Sequence, residues 1–187
     1  MEAIDLLLNR ESAVKLGPPG PTQAELDQIF AAAVRAPDHG RLRPWRFVVI
    51  DEPHRGAFGD LMAESMKRRE PQASTDMLQR ERDKAFRSPC IVAVAAKLVK
   101  GHKIPEIEQI ASASAAAQTI LLATNALGYG AVWKTGAPAY DNFVKTSLGL
   151  KEEDEILGFL YIGKQNPAPP GPARPEARNY VSRWTGG

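Results

Sequence analysis

The sequence predicts a β-sheet covered by helices, and three observations carry that reading. Compact apolar runs at Phe47–Ile50, Cys90–Ala96 and Ile156–Ile162 have the length and residue types of buried strands. Segments with apolar residues spaced three and four apart lie between them and before them, so helices and strands are interleaved along the chain. With 187 residues, 43% hydrophobic and 25% charged, the chain is long enough to bury a core between such layers.

Taken in order, residues 3–9 place Ile4, Leu7 and Leu8 on one side of a short amphipathic helix. Thr22 is a good N-cap with Glu25 in capping-box register, and Leu26, Ile29, Phe30, Ala33 and Val34 form the stripe of the helix that follows. That helix should stop near Pro37, because the residue before a proline is excluded from the helical region. Residues 37–45, PDHGRLRPW, are a polar loop, and Phe47–Ile50 reads as a central strand. A helix over 53–70 turns Phe58, Leu61, Met62 and Met66 inward, and the charged stretch 67–87, broken at Pro71, reads as a solvated helical excursion. After the Cys90–Ala96 strand, Pro105, Glu106 and Glu108 open a long alanine-rich helix that ends near Gly128. A strand from Ala131 to Trp133, a short helix at 140–147 and the Ile156–Ile162 strand complete a domain over 1–165. The remainder, 166–187, begins too rich in proline for a central strand or helix and forms an extended arm.

Composition excludes several classes of function. One cysteine rules out an intramolecular disulfide framework and a cysteine-based zinc cluster, and three separated histidines offer little for a metal centre. A net charge of +2, without a block of five like charges, gives no footprint for nucleic acid. The N-terminus is acidic where a secretory signal is basic, and no stretch reaches the ~18 apolar residues of a membrane helix. A cytoplasmic protein is the expectation. The almost continuously apolar helix after Glu108 favours an oligomer.

No P-loop, HExxH, GxSxG, EF-hand or CxxC pattern is present, and Gly128-Tyr129-Gly130 closes a helix where a dinucleotide fingerprint would open one. Arg10-Glu11-Ser12, with Lys15 nearby, can hold a phosphate through a guanidinium fork and a hydroxyl, or simply cap the first helix. Asp38 and His39, with Arg35 and Arg43, form the densest polar cluster, readable as a ligand edge or as a surface turn. Trp133-Lys134-Thr135-Gly136 lies just past a strand, where exposed backbone N–H groups can read a flat heterocycle, or where a strand merely exits.

Five segments occur in a telling order: LLLNRESAVKL, VRAPDHGRLRPWRFVVI, HKIPEIEQ, ALGYGAVWKTGA and GFLYIGK. Through them the chain resembles, over residues 2–164, the nitroreductase-like flavoprotein family in its minimal YdjA-type branch. The resemblance implies an α+β sandwich, with a mixed, mainly antiparallel sheet flanked by helices. It also implies a homodimer with FMN at the interface and the C-terminal arm crossing to the partner subunit. Arg10 and Ser12 would then hold the phosphate and ribityl end. Glu11 would contribute backbone or turn outward to a salt bridge, and Lys15 would lie near the flavin pyrimidine. Arg35 and His39 would come from the second subunit, Trp133, Lys134 and Thr135 would contact the flavin, and Lys164 would reach the phosphate. Ala123, Thr124, Asn125, Ala126, Leu127 and Gly128 match a segment associated with the nicotinamide nucleotide. No metal and no catalytic side chain is implied, since the flavin carries the chemistry. The activity implied is ping-pong reduction of nitroaromatics, quinones or related acceptors by NADH or NADPH. The alternatives are a flavoenzyme for one metabolite and an FMN storage or redox-partner module. Arg41 and Arg43 either favour an acidic substrate or belong to a solvated loop.

Overall fold

The computed structural model describes residues 2–166 and 173–186. Its elements run α1 (Ala3–Asn9), β1 (Leu16–Gly17), α2 (Gln23–Ala33), β2 (Trp45–Ile50), α3 (Arg55–Arg69), α4 (Thr75–Asp83), β3 (Cys90–Ala96), α5 (Glu106–Ala126), β4 (Gly130–Lys134), α6 (Asn142–Ser147) and β5 (Glu155–Gln165). The interleaved α+β arrangement expected from the sequence is present. Every strand pair among the described residues is antiparallel, so the sheet described is not mixed.

β5 is the central strand. It pairs with β3, β4 and, at its C-terminal end, the short β1, and β2 lies outside β3. The Phe47–Ile50 run is therefore an edge strand of the described sheet, not a central one. Its apolar character comes from the two faces: Phe47 stacks on Phe30 of α2 at 5.3 Å between ring centroids, and Ile50 packs into the core on the α3 side. Face burial leaves a mark in composition, and edge pairing does not. The two-residue β1 carries no periodic signal and is legible only in the fold.

Helices cover both faces. Leu26, Ile29 and Ala33 of α2 and Ala116, Ala117, Ile120 and Leu121 of α5 pack on Val92, Val94, Leu160 and Ile162. Phe58 and Met62 of α3 and Val144 of α6 pack on Ile91, Ala93, Phe159 and Tyr161. This is the period-two alternation of strands buried on both sides. Thr22 and Glu25 form the capping box that starts α2. α5 stops in a Schellman turn: the Tyr129 N–H reaches the Thr124 carbonyl at 3.1 Å and the Gly128 N–H reaches Asn125 at 2.9 Å, with Gly128 at φ +77°. The stretch 67–87 is not uniformly solvated, because α4 turns Glu81 inward to 5% exposure. α1 buries none of its residues, leaving Ile4, Leu7 and Leu8 exposed.

The part of the arm at 167–172 lies outside the described residues. Beyond it, Arg174 donates to the Arg10 carbonyl of the same chain at 2.7 Å, while Tyr180, Val181 and Trp184 face outward.

Two constraints can be tested. At Gly158 φ is +147°, opposite a register shift between Val94 and Ala95, and a Cβ there would stand 2.3 Å from Trp133 Nε1. Gly158→Ala should lower the unfolding free energy by about 2–3 kcal/mol in urea denaturation. The second constraint joins α3 to α6. Burial raises the Asp141 pKa, but Ser65 Oγ at 2.5 Å, the Phe143 N–H at 2.8 Å and Arg69 at 2.7 Å outweigh it and hold the carboxyl below the usual aspartate range. A depressed folded-state pKa contributes stability above the unfolded value and loses it as pH falls. Asp141→Asn should therefore cost about 2 kcal/mol at pH 7, with the gap to wild type closing as pH drops below about 4.

Candidate functional site

The N-terminal segment builds the main cleft. After α1 the chain runs extended beside β4, with the Ala13 N–H donating to the Ala131 carbonyl at 2.9 Å, then pairs Leu16 with Gln165 and Gly17 with Lys164. This close approach needs Gly130. A Cβ there would fall 2.8 Å from the Gln165 Cβ, 3.0 Å from Leu16 Cδ2 and 3.1 Å from the Ala13 Cβ. Between this segment and the sheet lies a cavity of about 500 Å³ lined by Lys15, Leu16, Phe86, Arg87, Val132, Lys134 and Tyr161. Val132 and Lys134 share a face by strand alternation, and Tyr161 joins them because it is the register partner of Val132.

The cleft is cationic. None of its lining residues is a carboxylate, and among the described residues no hydrogen bond or ion pair engages the side chains of Lys15, Arg87 or Lys134. Burial pushes the Tyr161 phenol up to about 12; Arg87 opposes that shift and Glu81 adds to it. The phenol is a neutral donor across the working pH range. The lone Cys90 is buried and its thiol is pushed up to about 11, first by burial and then by Asp51, so it is no nucleophile.

The other candidate residues fall into distinct places. Arg10 and Glu11 line a smaller cavity of about 150 Å³ with Asn125 and Gln165 on the other flank of the N-terminal segment. The exposed Glu11 carboxylate accepts from the Gln165 amide at 3.1 Å and pairs with no cation among the described residues. Ser12 is exposed beside them. Arg35 is exposed at the end of α2. His39 lines a third cavity, about 270 Å³, with Glu108, Ala111 and Ala115 of α5, and its Nδ1 lies 2.6 Å from Glu108 Oε2. The neighbouring Asp38 does not orient this histidine. Its carboxylate accepts the Arg43 N–H at 2.8 Å, within a loop where Gly40, Arg41 and Arg43 all have positive φ.

Trp133 sits on the opposite sheet face from Lys134. Its indole N–H donates to the Leu157 carbonyl at 3.0 Å and its ring packs into the core, so of the tripeptide only Lys134 lines the cationic cleft. Thr135 lines an adjoining cavity. Lys164 also lies away from that cleft: its ammonium donates to the Gly128 carbonyl at 3.0 Å and stands 4.0 Å from the Tyr129 ring centroid. Within 123–128, Thr124 is fully buried and Asn125 donates to the Tyr129 carbonyl at 2.8 Å; the segment is the terminus of α5. Arg87, Phe86 and Tyr161 escaped sequence reasoning. Arg87 follows a charged helix that resembles any solvated one, and only the fold carries it to β4.

The fold and site can be set beside known proteins. The family model described as the nitroreductase family matches residues 7–164. YdjA of Escherichia coli (strain K12), an NAD(P)H nitroreductase by name, is 38% identical over 165 residues, which is 87% of this chain and 88% of that protein. Among solved structures, a nitroreductase-like family protein from Bacillus cereus superposes with a TM-score of 0.87 at 22% identity, over 100% of this chain and 97% of that one. A nitroreductase by name from Desulfovibrio desulfuricans, solved in complex with FMN, superposes with a TM-score of 0.73 at 21% identity, over 96% and 95% of the two chains. The cationic cleft lies inside the matched span, and this chain belongs to the nitroreductase family.

Proposed function

We propose that the protein is an FMN-dependent NAD(P)H oxidoreductase that reduces nitroaromatic, quinone or related acceptors by a ping-pong mechanism. The observation that carries this reading is the cleft in which Lys15, Arg87 and Lys134 stand together without a counter-ion among the described residues. Family membership and the FMN held by the Desulfovibrio relative support it. The residues present fit that cofactor: the cavity is in the size range of small-molecule sites, its walls mix apolar side chains with cations, and Arg10 adds a guanidinium in the smaller cavity on the segment's other flank.

When bound, FMN supplies the redox chemistry, accepting electrons from a nicotinamide nucleotide and passing them to the acceptor. The chain's residues bind and orient. Arg10 and Ser12 would hold the phosphate end, and Lys15 would place positive charge beside the pyrimidine ring. Lys134 and Arg87 add to that field, and the Tyr161 hydroxyl keeps its proton. Arg35 and His39 would complete the site of a partner copy, for which the exposed stripe of α1 and the outward Tyr180 and Trp184 of the arm offer docking surface.

Anaerobic mixing with NADH or NADPH should bleach the bound flavin; failure with both would sink the reductase reading and leave a storage or redox-partner role. Arg10→Ala should weaken FMN binding by about ten- to a hundredfold, the worth of one hydrogen bond to a charged group, in a fluorescence titration of the apoprotein. Light scattering should report a dimer.

A further inference from the structure

Two loops gather cations at one end of the sheet. β2 and β3 pair antiparallel with Trp45 opposite Ala96, so the segment entering β2 and the segment leaving β3 lie side by side. The Lys97 N–H donates to the Pro44 carbonyl at 2.7 Å, and Gly40 packs against Ile104 further along the second loop. The first loop carries Arg41 and Arg43, the second Lys97, Lys100 and Lys103, and all are exposed. Among the described residues no hydrogen bond or ion pair engages any of these side chains. The carboxylates on neighbouring segments have partners of their own. Asp38 accepts the Arg43 backbone N–H at 2.8 Å, and Glu108 lies 2.6 Å from His39. Asp154 accepts the Leu98 and Lys151 N–H groups at 3.2 and 3.0 Å, and Glu155, opposite Ala96, stands 4.0 Å from Lys145. Glu106 occupies the first turn of α5, where the helix dipole favours a carboxylate.

The backbone of the first loop is a second observation. Arg41 and Arg43 have φ of +57° and +50°, a region that a residue with a side chain enters at a cost. The conformation is pinned on several sides. The Arg41 N–H reaches the Asp38 carbonyl at 3.3 Å, the Asp38 carboxylate takes the Arg43 N–H, and the Arg46 guanidinium donates to the Arg43 carbonyl at 3.0 Å. A pinned loop has little backbone freedom left to lose on binding, and both strained positions carry an unengaged guanidinium.

We propose that Arg41 and Arg43, backed by the lysines of the second loop, bind an anionic group of the ligand that reaches the flavin. The group is a carboxylate or phosphate, carried by the electron acceptor or by the nicotinamide nucleotide. Guanidinium forks suit both anions. The inference rests on the proposed function above, in which His39 of this same loop completes the partner copy's site and so brings the loop to that site's mouth.

Calorimetric titration of the purified protein separates the two sources. Para-nitrobenzoate, its neutral isostere para-nitrobenzamide, NADP+ and NAD+ are each titrated into wild type and Arg41→Gln/Arg43→Gln. A control, Lys67→Gln/Arg80→Gln, removes the same charge from exposed positions on α3 and α4. If the acceptor is the source, wild type should bind the nitrobenzoate about tenfold more tightly than the amide. The arginine variant should erase that preference and the control should keep it. If the nucleotide is the source, the arginine variant should weaken NADP+ binding by about tenfold, and NAD+ binding with it where the pyrophosphate and not the extra ribose phosphate is held. Either effect should shrink as salt is raised, because the cations are exposed. The single variants serve in place of a double variant that fails to fold. Arginine variants that bind every ligand as wild type does overturn the inference, and so does an equal loss in the control. Flavin reduction by either nucleotide is followed separately: a protein that keeps the anion preference but is reduced by neither loses the reductase reading and keeps the anion site.

Discussion

The docking of residues 10–17 onto β4 and β5 is the contact on which the candidate site depends. It is slight in extent: backbone hydrogen bonds from Ala13 to the Ala131 carbonyl and from Asn166 to the Lys15 carbonyl, and a two-residue ladder at Leu16 and Gly17. Its specificity comes from the absence of a side chain at Gly130, where a Cβ would collide with three neighbours at once. Because the segment lies flat, Lys15 is delivered to the face that carries Val132, Lys134 and Tyr161, while Arg10 and Glu11 open on the other flank. A displaced segment would separate these groups and withdraw Leu16 from the core on the α3 side.

Electrostatics distinguishes this region from much of the surface. Several charges elsewhere are matched, Asp141 with Arg69, Arg82 with Asp60 and Arg68 with Glu64. In the cleft three cations converge with no carboxylate among the lining residues. All three are exposed, so water screens their mutual repulsion, and an anionic ligand relieves what remains of it. The same wall holds Tyr161 neutral, and the chain's only thiol is buried and protonated within β3. No protein group near the cleft is poised to act as a nucleophile or a redox centre. That is the electrostatic pattern of a site that positions and polarises a separate redox group.

Much of the framework was legible because its causes are local. The Thr22–Glu25 capping box, the Gly128 helix stop, the fully buried Cys90–Ala96 run and the helix after Pro105 depend on a few neighbours in sequence. What stayed hidden depends on pairing between distant segments. Phe47–Ile50 looks central because both faces are covered, although its outer edge pairs with no described strand. The Trp133–Thr135 tripeptide splits across three surroundings, since alternation along β4 sends Trp133 into the core while Lys134 faces the cleft. Arg87 and Glu81 were invisible for the same reason in opposite senses. Both belong to a charged stretch whose composition says solvent, and tertiary packing carries one to the cleft and buries the other.

The distribution of the remaining candidates bears on assembly. The Lys15 cleft opens on the sheet face covered by α3 and α6. His39 and Glu108 line a cavity on the outer side of α5, beyond the opposite face. Two packed layers lie between them in a single chain, so one bound ligand cannot touch both. A site that uses Lys15 and His39 together, as the proposed function requires, therefore has to be composed from two copies, one giving the cleft and the other its α5 side. The exposed Ile4, Leu7 and Leu8 of α1 and Ile107 at the start of α5 lie on the elements that such a pairing would bring together. On this reading the apolar residues that one chain leaves in water and the site residues that it holds apart have a single cause, which is that each chain carries half of two shared sites.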